Sequence, residues 1–456
     1  MKRFAEDYLE RWKNRKGRKP LVLRGARQTG KTYLVEKFAG KYFKNYLKVD
    51  FEFDLAVKSI FSGRDPEKIT EELSLYYGVD IIENHTLLFF DEIQACPEAI
   101  ATLRYFYEKK PGLHVIAAGS LLDFALRDFE YSMPVGRIEF IYIYPMSFNE
   151  FLLSIHPKLY EFIKKWTFEV HISELIHRKL SECLRYFFFT GGMPEAVAAW
   201  IENNNLVDVQ RIQNSILTTM QNDFAKYGSR KQQEHLQKVM HHIPRNIGTK
   251  IKYVNIDRDI RSGVLKEACH LLAMSRVISL VYKSNGNGSP LDAEINPNIF
   301  KSIFLDIGLV NRLCGLKLTD MKQLITIYEG GLAEQFIGQE LLNYGFDFES
   351  PGLYYWTREE KNSNAEIDYL ISHQSTLVPV EVKAGKTGSL KSLPIFLYEK
   401  KLKHGLRFNL GLPSKSNVQV NIRLKNSEDC LEYTLISLPL YLSGQIDRIL
   451  DVELVK

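Results

Sequence analysis

The sequence lacks closely spaced cysteines, and this absence excludes two common uses of cysteine. The five cysteines lie far apart, their number is odd, and none belongs to a C-x-x-C motif. A disulfide-stapled scaffold needs an even, clustered set, and a structural zinc site needs ligands at short spacing. The pattern therefore predicts free thiols in a reducing compartment, and with it a cytoplasmic protein.

Long apolar runs and charge of one sign are also scarce. No segment approaches the roughly 18 apolar residues that a membrane-spanning helix needs, and the N-terminal stretch MKRFAEDYLERWKNRKGRKP has no apolar core. We therefore expect no membrane partner. The net charge is +5 over 456 residues, which permits a polyanionic partner but equally fits a solvated surface with a slight lysine excess. At about 150 residues per domain, this length predicts about three domains.

Residues 24–32, RGARQTGKT, lie between an apolar strand pattern and a helical pattern. This is the spacing G-x-x-x-x-G-K-[ST], in which backbone N–H groups and a helix N-terminus bind phosphate oxygens. A chance glycine turn is disfavoured because both the strand and the helix are in place. Lys31 is predicted to reach the β- and γ-phosphates, and the hydroxyl of Thr32 to bind Mg²⁺. The predicted nucleotide-binding residues of this loop are Gly25, Ala26, Arg27, Gln28, Thr29, Gly30, Lys31 and Thr32.

A second acidic motif follows an apolar strand in HTLLFFDEIQACPEA, residues 85–99. Ligands of open parallel sheets bind at the carboxyl ends of the strands. We therefore expect Asp91 to hold Mg²⁺ through water and Glu92 to orient and activate the attacking water. The alternative is that the two carboxylates cap a helix that begins near Pro97.

Two further residues are candidates for the same site. Ser120 ends the apolar segment GLHVIAAGS and is interpreted as a sensor of the γ-phosphate, as a helix N-cap, or as both. Arg137 follows a glycine turn before another strand; it is interpreted either as an arginine that assists phosphoryl transfer, in cis or from a neighbouring subunit, or as a surface ion-pair residue. An additional strand between the two motif strands is typical of the AAA-like division of P-loop ATPases.

The middle of the chain changes character at about residue 245. Residues 156–245 have helical spacing and are predicted to form a lid and connector. Residues 246–325 show a short helix, the helix SGVLKEACHLLAMS and a strand, an order that predicts a winged-helix-like segment. Such a segment either contacts DNA, through Arg258, Arg261 and Lys266, or serves only as a packing module. Asp306 is expected to cap a turn rather than to perform chemistry.

The C-terminal third carries acidic residues and a lysine in a strand pattern. EIDYLI and TLVPVEVKA, separated by polar turn residues, predict a β-hairpin. Glu381 and Lys383, two residues apart, point to one face of the second strand, where Asp368 of the first strand meets them. Alternating charges on a half-exposed strand are a common alternative for E-x-K alone.

This D-x12-E-x-K spacing resembles the PD-(D/E)XK nuclease core. The resemblance implies that Asp368, Glu381 and the carbonyl of Val382 bind Mg²⁺, while Lys383 helps to activate water and stabilises charge on the phosphate. It also assigns a metal-binding role to a glutamate on the preceding helix, residues 331–344. Glu334 is preferred for that role by its motif, and Glu340 is the rival.

Basic and aromatic residues flank this motif. Arg358, Lys386 and Lys391 are candidates for contacts with a phosphate backbone. The aromatic residues 354–356 could stack on bases, but core packing is expected for at least two of them.

RGARQTGKT, FFDEIQACP, AAGSLL, PVGRIEFIYIYPMSFNEFL and TGGMPEAV together resemble a prokaryotic family of AAA-like ATPases. Its members carry a C-terminal restriction-endonuclease-like domain of uncharacterised function. The implied α/β fold is an AAA-like P-loop ATPase core, a helical lid with a winged-helix-like middle, and a C-terminal α/β restriction-endonuclease-like domain. The predicted divisions are 1–155, 156–245, 246–325 and 326–456.

Two hypotheses of function follow. In the first, a Mg-dependent ATPase drives or licenses cleavage or remodelling of DNA by the nuclease-like domain. In the second, the chain is an ATP-dependent molecular switch, and the nuclease-like domain is an inactive platform that binds protein or DNA. The predicted cofactors are ATP and Mg²⁺, and the candidate partners are DNA and further copies of the chain.

Overall fold

The computed structural model describes residues 1–120, 122, 136–316, 330–344, 348–349, 352–360, 363–383, 385, 390–423 and 428–454. The chain forms two compact units. Unit 1 consists of Met1–Pro145, Met274–Val277 and Phe346–Ser350, and unit 2 of Met146–Ala273, Ile278–Gly345 and Pro351–Lys456. Among the residues described, no helix combines the length and the apolar character needed to cross a membrane.

Unit 1 is built on a parallel sheet. Its helices are α1 (Ala5–Asn14), α2 (Lys31–Tyr42), α3 (Pro66–Tyr77) and α4 (Pro97–Lys109), and its strands are β1 (Leu21–Arg24), β2 (Asn45–Asp50), β3 (Thr86–Asp91), β4 (His114–Gly119) and β5 (Glu139–Tyr142). The strand order is β2-β3-β4-β1-β5, and every neighbouring pair is parallel. Strand β4 thus lies between β1 and β3, so the predicted additional strand is present.

The strands of unit 1 are apolar on both faces because both faces are covered. Leu88 and Phe90 pack in one hydrophobic cluster, whereas Leu87 and Phe89 pack in another. This alternation follows from the two-residue period of a strand, and continuous apolar runs are typical of buried parallel strands. Helix α4 begins with Pro97 at its first turn, as the sequence indicates.

Unit 2 contains a helical first half and a large sheet. Its helices are α5 (Phe148–Ile155), α6 (Pro157–Lys165), α7 (Glu174–Thr190), α8 (Pro194–Asn203), α9 (Leu206–Asp223), α10 (Arg230–His242), α11 (Tyr253–Ile256), α12 (Ser262–Met274), α13 (Ile307–Leu313), α14 (Gly331–Leu341), α15 (Ser392–Lys400) and α16 (Ile446–Glu453). Its strands are β6 (Ile278–Ser284), β7 (Ile295–Phe304), β8 (Leu353–Glu360), β9 (Ser363–His373), β10 (Thr376–Val382), β11 (His404–Asn409), β12 (Ser414–Arg423) and β13 (Glu428–Pro439). The helices α5 to α10 agree with the helical spacing of this part of the sequence.

The eight-stranded sheet of unit 2 joins two regions that the sequence separates. Its order is β12-β13-β11-β10-β9-β8-β6-β7. Strands β6 and β7 form an antiparallel hairpin, and β6 also pairs in parallel with β8, with Val281 opposite Leu353. The hairpin after α12 is therefore an extension of the C-terminal sheet rather than a separate wing. The predicted β9–β10 hairpin is present, with Val378 opposite Ile371.

A buried aspartate organises the centre of unit 2. Asp306 is the N-cap of α13 and accepts hydrogen bonds from the backbone N–H groups of Gly308 (3.0 Å) and Leu309 (3.1 Å). Its other carboxylate oxygen accepts from the N–H of Gly192 at 2.6 Å. Gly191 has φ of 72°, and a Cβ there would overlap the Asp306 carboxylate. The prediction that Asp306 caps a turn is confirmed, and the TGGMP segment is the partner of that cap.

A second buried carboxylate, Glu340 of α14, accepts a hydrogen bond from the backbone N–H of Phe148 at 2.9 Å. Burial raises its pKa from about 4.5 to about 8, against the opposing effect of this hydrogen bond. A raised carboxyl pKa means that the folded state binds the proton more tightly than the unfolded state does. Stability is therefore lost as the pH rises from about 4.5 to about 8.

We expect Asp306→Ala to lower the free energy of unfolding by about 2–4 kcal/mol, because three buried N–H groups lose their acceptor. The measurement is urea denaturation followed by circular dichroism. The matched control is Asn205→Ala, which removes the exposed N-cap of α9, whose side chain accepts from the N–H of Val207. That change should cost only about 0.5–1 kcal/mol. Equal effects of the two substitutions would contradict the central role of Asp306.

We expect the Glu340→Gln variant to gain stability relative to the native chain as the pH rises. The substituted side chain keeps an acceptor for Phe148 but has no charge to bury. The difference in unfolding free energy should widen by about 3 kcal/mol between pH 5.5 and 8.5. Thermal unfolding across that range measures it. Glu174→Gln, at the exposed start of α7, is the control for the substitution itself, and a constant difference for Glu340→Gln across this pH range would disprove the assignment.

Candidate functional site

The loop from β1 to α2 has the backbone that a phosphate-binding loop requires. A Cβ at Gly25 would overlap the carbonyl oxygen of Ile143, so only glycine fits there. Gly30 has φ of 85° and Gln28 has φ of 62°, both in the left-handed region. Helix α2 begins directly after Gly30, which directs its first N–H groups towards the loop.

Lys31 is buried within this loop. Its Nζ donates hydrogen bonds to the carbonyl oxygens of Gly25 (2.9 Å) and Ala26 (2.7 Å). Burial lowers the pKa of Lys31 to about 8, although the carboxylates of Glu92 and Asp91 act in the opposite direction. The lysine and both motif carboxylates therefore share one electrostatic environment.

Asp91 connects the acidic strand to the loop. The hydroxyl of Thr32 donates to Asp91 Oδ2 at 3.0 Å. The Nζ of Lys48, on the neighbouring strand β2, lies 3.1 Å from the same oxygen and 3.3 Å from Glu36 Oε1. The sequence interpretation overlooked Lys48, because only the strand order of the folded sheet places β2 beside β3. The predicted partners Thr32 and Asp91 are thus in direct contact.

Glu92 is held by a polar network at the end of β3. Its backbone has φ of 49°, in the left-handed region, a strained conformation typical of functional sites. Its Oε2 accepts from Gln94 Nε2 at 2.6 Å and from the hydroxyl of Ser120 at 3.4 Å. That hydroxyl in turn accepts from Arg27 Nε at 3.2 Å, and Arg27 pairs with Glu52 at 3.5 Å. Ser120 therefore contacts the predicted catalytic glutamate.

Arg137 does not join this network. Its Nε donates to Glu108 Oε1 at 3.0 Å, and it precedes β5. Because β5 is parallel to β1, Arg137 lies at the edge where these strands begin, whereas the phosphate loop follows their ends. Within this chain, the position of Arg137 agrees with the interpretation as a surface ion-pair residue. A role in a neighbouring subunit stays a prediction.

Another arginine, Arg276, lies at the edge of the sheet where the phosphate loop follows β1. The guanidinium of Arg276 is 4.8 Å from the ring centre of Tyr142, which ends β5 opposite Arg24. Its positive charge contributes to lowering the pKa of Lys31, and its backbone is left-handed with φ of 59°. No motif surrounds Arg276 in the sequence, so sequence reasoning overlooked it.

In unit 2, the predicted acidic and basic residues of the hairpin come together. Asp368 Oδ2 accepts from the backbone N–H of Val382 at 2.7 Å. Lys383 Nζ lies 2.6 Å from Glu381 Oε2 and 3.9 Å from Asp368 Oδ2. Burial, reinforced by the nearby charge of Asp368, raises the pKa of Glu381 to about 7. The three side chains form a carboxylate–lysine cluster across β9 and β10.

Of the two helix glutamates, Glu334 lies at this cluster and Glu340 does not. Burial and the charge of Asp368 raise the pKa of Glu334 to about 8, and Lys301 lies 3.8 Å from its Oε2. The carboxylate of Glu340 instead accepts from the N–H of Phe148. The motif-based preference for Glu334 agrees with this placement.

The donor set of the cluster determines which metal it suits. In the part of the chain that the structure describes, no group of three or more His, Cys, Asp and Glu side chains forms a ready-made metal cage. Mg²⁺ does not require one, since it is usually bound through one or two carboxylates and several waters. The oxygens of Asp368, Glu381 and the Val382 carbonyl fit that chemistry.

The remaining candidates occupy varied positions. Tyr355 and Trp356 are buried, with 0% and 5% exposure, whereas Tyr354 is half-buried, so the expected core packing is confirmed for two of the three. Arg358 pairs with Glu399, Lys391 is exposed, and Lys386 lies outside the described residues.

In the middle segment, Arg258 and Arg261 are exposed, and Lys266 donates to Asn298 Oδ1 at 2.6 Å. The cysteines are free, as the sequence indicated.

Comparison with known protein families divides the chain into three matched regions. Residues 17–152 match the family described as AAA domain, residues 181–320 a domain of unknown function (DUF8612), and residues 329–434 another domain of unknown function (DUF4143). The uncharacterized protein MJ1544 of Methanocaldococcus jannaschii is 23% identical over 398 residues, which cover 84% of this chain and 78% of that protein.

Solved structures give weaker similarity. The Walker-type ATPase PABY2304 of Pyrococcus abyssi is 15% identical and covers 69% of this chain and 95% of its own, with a TM-score of 0.44. DnaA from Aquifex aeolicus, bound to AMPPCP, is 16% identical. The alignment covers 59% of this chain and 86% of the DnaA chain, with a TM-score of 0.28. The family match and the loop geometry together identify an AAA-like P-loop ATPase domain in unit 1. The C-terminal regions match domains of unknown function, and none of these matches is to a restriction-endonuclease-like family.

We expect Arg276→Ala to lower the rate of ATP hydrolysis by about tenfold or more, because it removes a positive charge that acts on Lys31 at the phosphate-binding edge. Steady-state phosphate release at low protein concentration measures the effect. Arg137→Ala is the matched control and should change the rate less than twofold under those conditions. If Arg137→Ala has the larger effect and that effect grows with protein concentration, the in-trans interpretation of Arg137 is favoured and that of Arg276 is contradicted.

Proposed function

We propose that this protein is a Mg-dependent ATPase whose C-terminal domain carries a nuclease-like site that acts on DNA. The observation that carries the ATPase part of the proposal is the meeting of Lys31, Thr32 and Asp91 at one sheet edge, with Thr32 Oγ1 3.0 Å from Asp91 Oδ2. ATP hydrolysis in unit 1 would license cleavage or remodelling of DNA by unit 2.

The ATPase chemistry is assigned to residues of unit 1. The backbone of residues 25–30 and the ammonium of Lys31 bind the phosphates, and Lys31 leaves its carbonyl partners to do so. The hydroxyl of Thr32 and the carboxylate of Asp91 would hold Mg²⁺, which neutralises phosphate charge when bound. Glu92 orients a water and accepts its proton, and Ser120 and Gln94 position that carboxylate.

The nuclease-like chemistry is assigned to the carboxylate–lysine cluster. Asp368, Glu381 and the Val382 carbonyl would hold the metal, and Glu334 lies beside them. The ammonium of Lys383, 2.6 Å from Glu381, is placed to stabilise negative charge on a phosphate. Exposed basic residues, Arg258 and Arg261 in the middle segment and Lys391 near the cluster, would contact the DNA backbone.

A second candidate function is an ATP-dependent switch in which the C-terminal domain is an inactive platform. One observation favours it: the lysine of the cluster is already ion-paired with Glu381, and a second lysine pairs with Glu334. Ammonium groups of this kind can compensate buried carboxylates without a metal. The two functions differ in whether Glu381 is needed for activity.

We expect Lys31→Ala to reduce ATP hydrolysis by about 100-fold or more, because the phosphates lose their buried cation. Glu381→Ala should leave ATP hydrolysis unchanged and abolish Mg-dependent cleavage of DNA. Phosphate release and gel-based cleavage of single-stranded and duplex DNA measure the two activities. If Lys31→Ala leaves hydrolysis intact, the ATPase assignment fails.

Two exposed residues provide the controls. Lys41 lies on α2, the helix that begins with Lys31, and Glu432 lies on β13, a different strand from that of Glu381. Neither Lys41→Ala nor Glu432→Ala should change either activity by more than twofold. If the native chain hydrolyses ATP but cleaves no DNA, and Glu381→Ala is silent, the switch is favoured over the nuclease.

A further inference from the structure

A lysine from outside the hairpin enters the carboxylate cluster of unit 2. Lys301 lies on β7, and its side chain is 3% exposed. Its Nζ pairs with Glu366 of β9 and lies 3.8 Å from Glu334 of α14. It also lies 4.9 Å from the ring centre of Tyr355. The spacing of the hairpin motif gives no indication of this residue.

The surroundings of Lys301 bring the middle segment against the cluster. Gly248, in the loop before α11, has φ of 79°, and a Cβ there would lie 2.7 Å from the Glu334 carboxylate oxygens. The backbone N–H of Ile251 donates to the carbonyl of Phe300, next to Lys301, at 3.0 Å. Glu334 is therefore enclosed on one side by residues that precede α13 in the sequence.

The cluster divides into two pairs of carboxylates. Glu334 and Glu366 both form ion pairs with Lys301, and we call them the Lys301-bound pair. Asp368 and Glu381, the hairpin pair, both lie within 4 Å of Lys383 Nζ. When a bound cation displaces the protons that these groups hold, four carboxylates face two ammonium groups, which leaves two negative charges. One divalent cation would neutralise that excess.

We infer that Lys301 is a built-in cation of this site, which neutralises the Lys301-bound pair and leaves Asp368 and Glu381 to hold a single divalent metal ion. Because its side chain is almost fully buried, Lys301 is a positioning residue that does not contact substrate. Its ammonium group lies over the ring of Tyr355, and this cation–π contact helps to hold the charge in the cluster. The inference rests on the metal site of the proposed function. It adds that this site holds one metal ion and not two.

Binding of Mn²⁺ to the purified full chain, measured by calorimetry, tests the inference. The heat that disappears in Glu381→Ala is assigned to this site. Lys301→Met keeps the length of the stem and removes the charge, so we expect it to bind Mn²⁺ at least about fivefold more tightly, or to take up a second ion. Lys283→Met, on the neighbouring strand β6, should bind as the native chain does.

Glu366→Gln provides an independent test, in which the affinity for Mn²⁺ should change in the opposite direction. Its side chain is 43% exposed, so the fold should tolerate the change. Removal of this charge releases Lys301 towards the remaining carboxylates and should weaken Mn²⁺ binding at least about threefold. If Lys301→Met does not fold, the direction of the Glu366→Gln effect decides the inference.

The outcomes separate this inference from the proposed function. Unchanged or weaker binding by folded Lys301→Met overturns the inference while the metal site itself stands. Binding by Lys301→Met but not by the native chain supports a built-in cation and overturns a Mg-dependent nuclease site. If neither protein binds Mn²⁺ in a Glu381-dependent manner, both are overturned.

Discussion

The hydrogen bond from the hydroxyl of Thr32 to the carboxylate of Asp91 joins the two motif strands of unit 1 across β4. It can form because all neighbouring strands of the sheet are parallel, so that both motifs emerge at the same edge. The buried Lys31 then shares this edge with two carboxylates. Every role assigned to unit 1 depends on that common edge, and the position of Arg137 at the other edge follows from the same geometry.

Buried carboxyl groups in unit 2 are compensated in two ways. Asp306 and Glu340 accept hydrogen bonds from backbone N–H groups, whose positions are fixed by helices and turns. The carboxylates at the hairpin are instead compensated by lysine side chains. Backbone donors cannot move without unfolding, whereas an ammonium on a flexible stem can change partners. The first arrangement suits architecture, and the second suits a site that must accept a ligand.

The sequence allowed prediction of features whose determinants lie close together in the chain. The phosphate loop, the acidic strand end and the β9–β10 hairpin all lie within short segments, so periodicity and turn residues were sufficient. Lys48, Arg276 and Lys301 could not be found in this way, because strand order or a distant segment brings them to their sites. The parallel pairing of β6 with β8 was missed for the same reason, since it joins strands about 70 residues apart.

The placement of β6 and β7 in the C-terminal sheet limits how the chain can be divided. A fragment that starts at residue 326 would retain the hairpin with its acidic residues but lose the strand that covers β8. The unpaired N–H and C=O groups of β8 would then be open to association with other chains. The same cut would strip Glu334 and Glu366 of their counter-ion. Failure of such a fragment to stay soluble would therefore reflect a severed sheet, and would say nothing about the chemistry of its acidic residues.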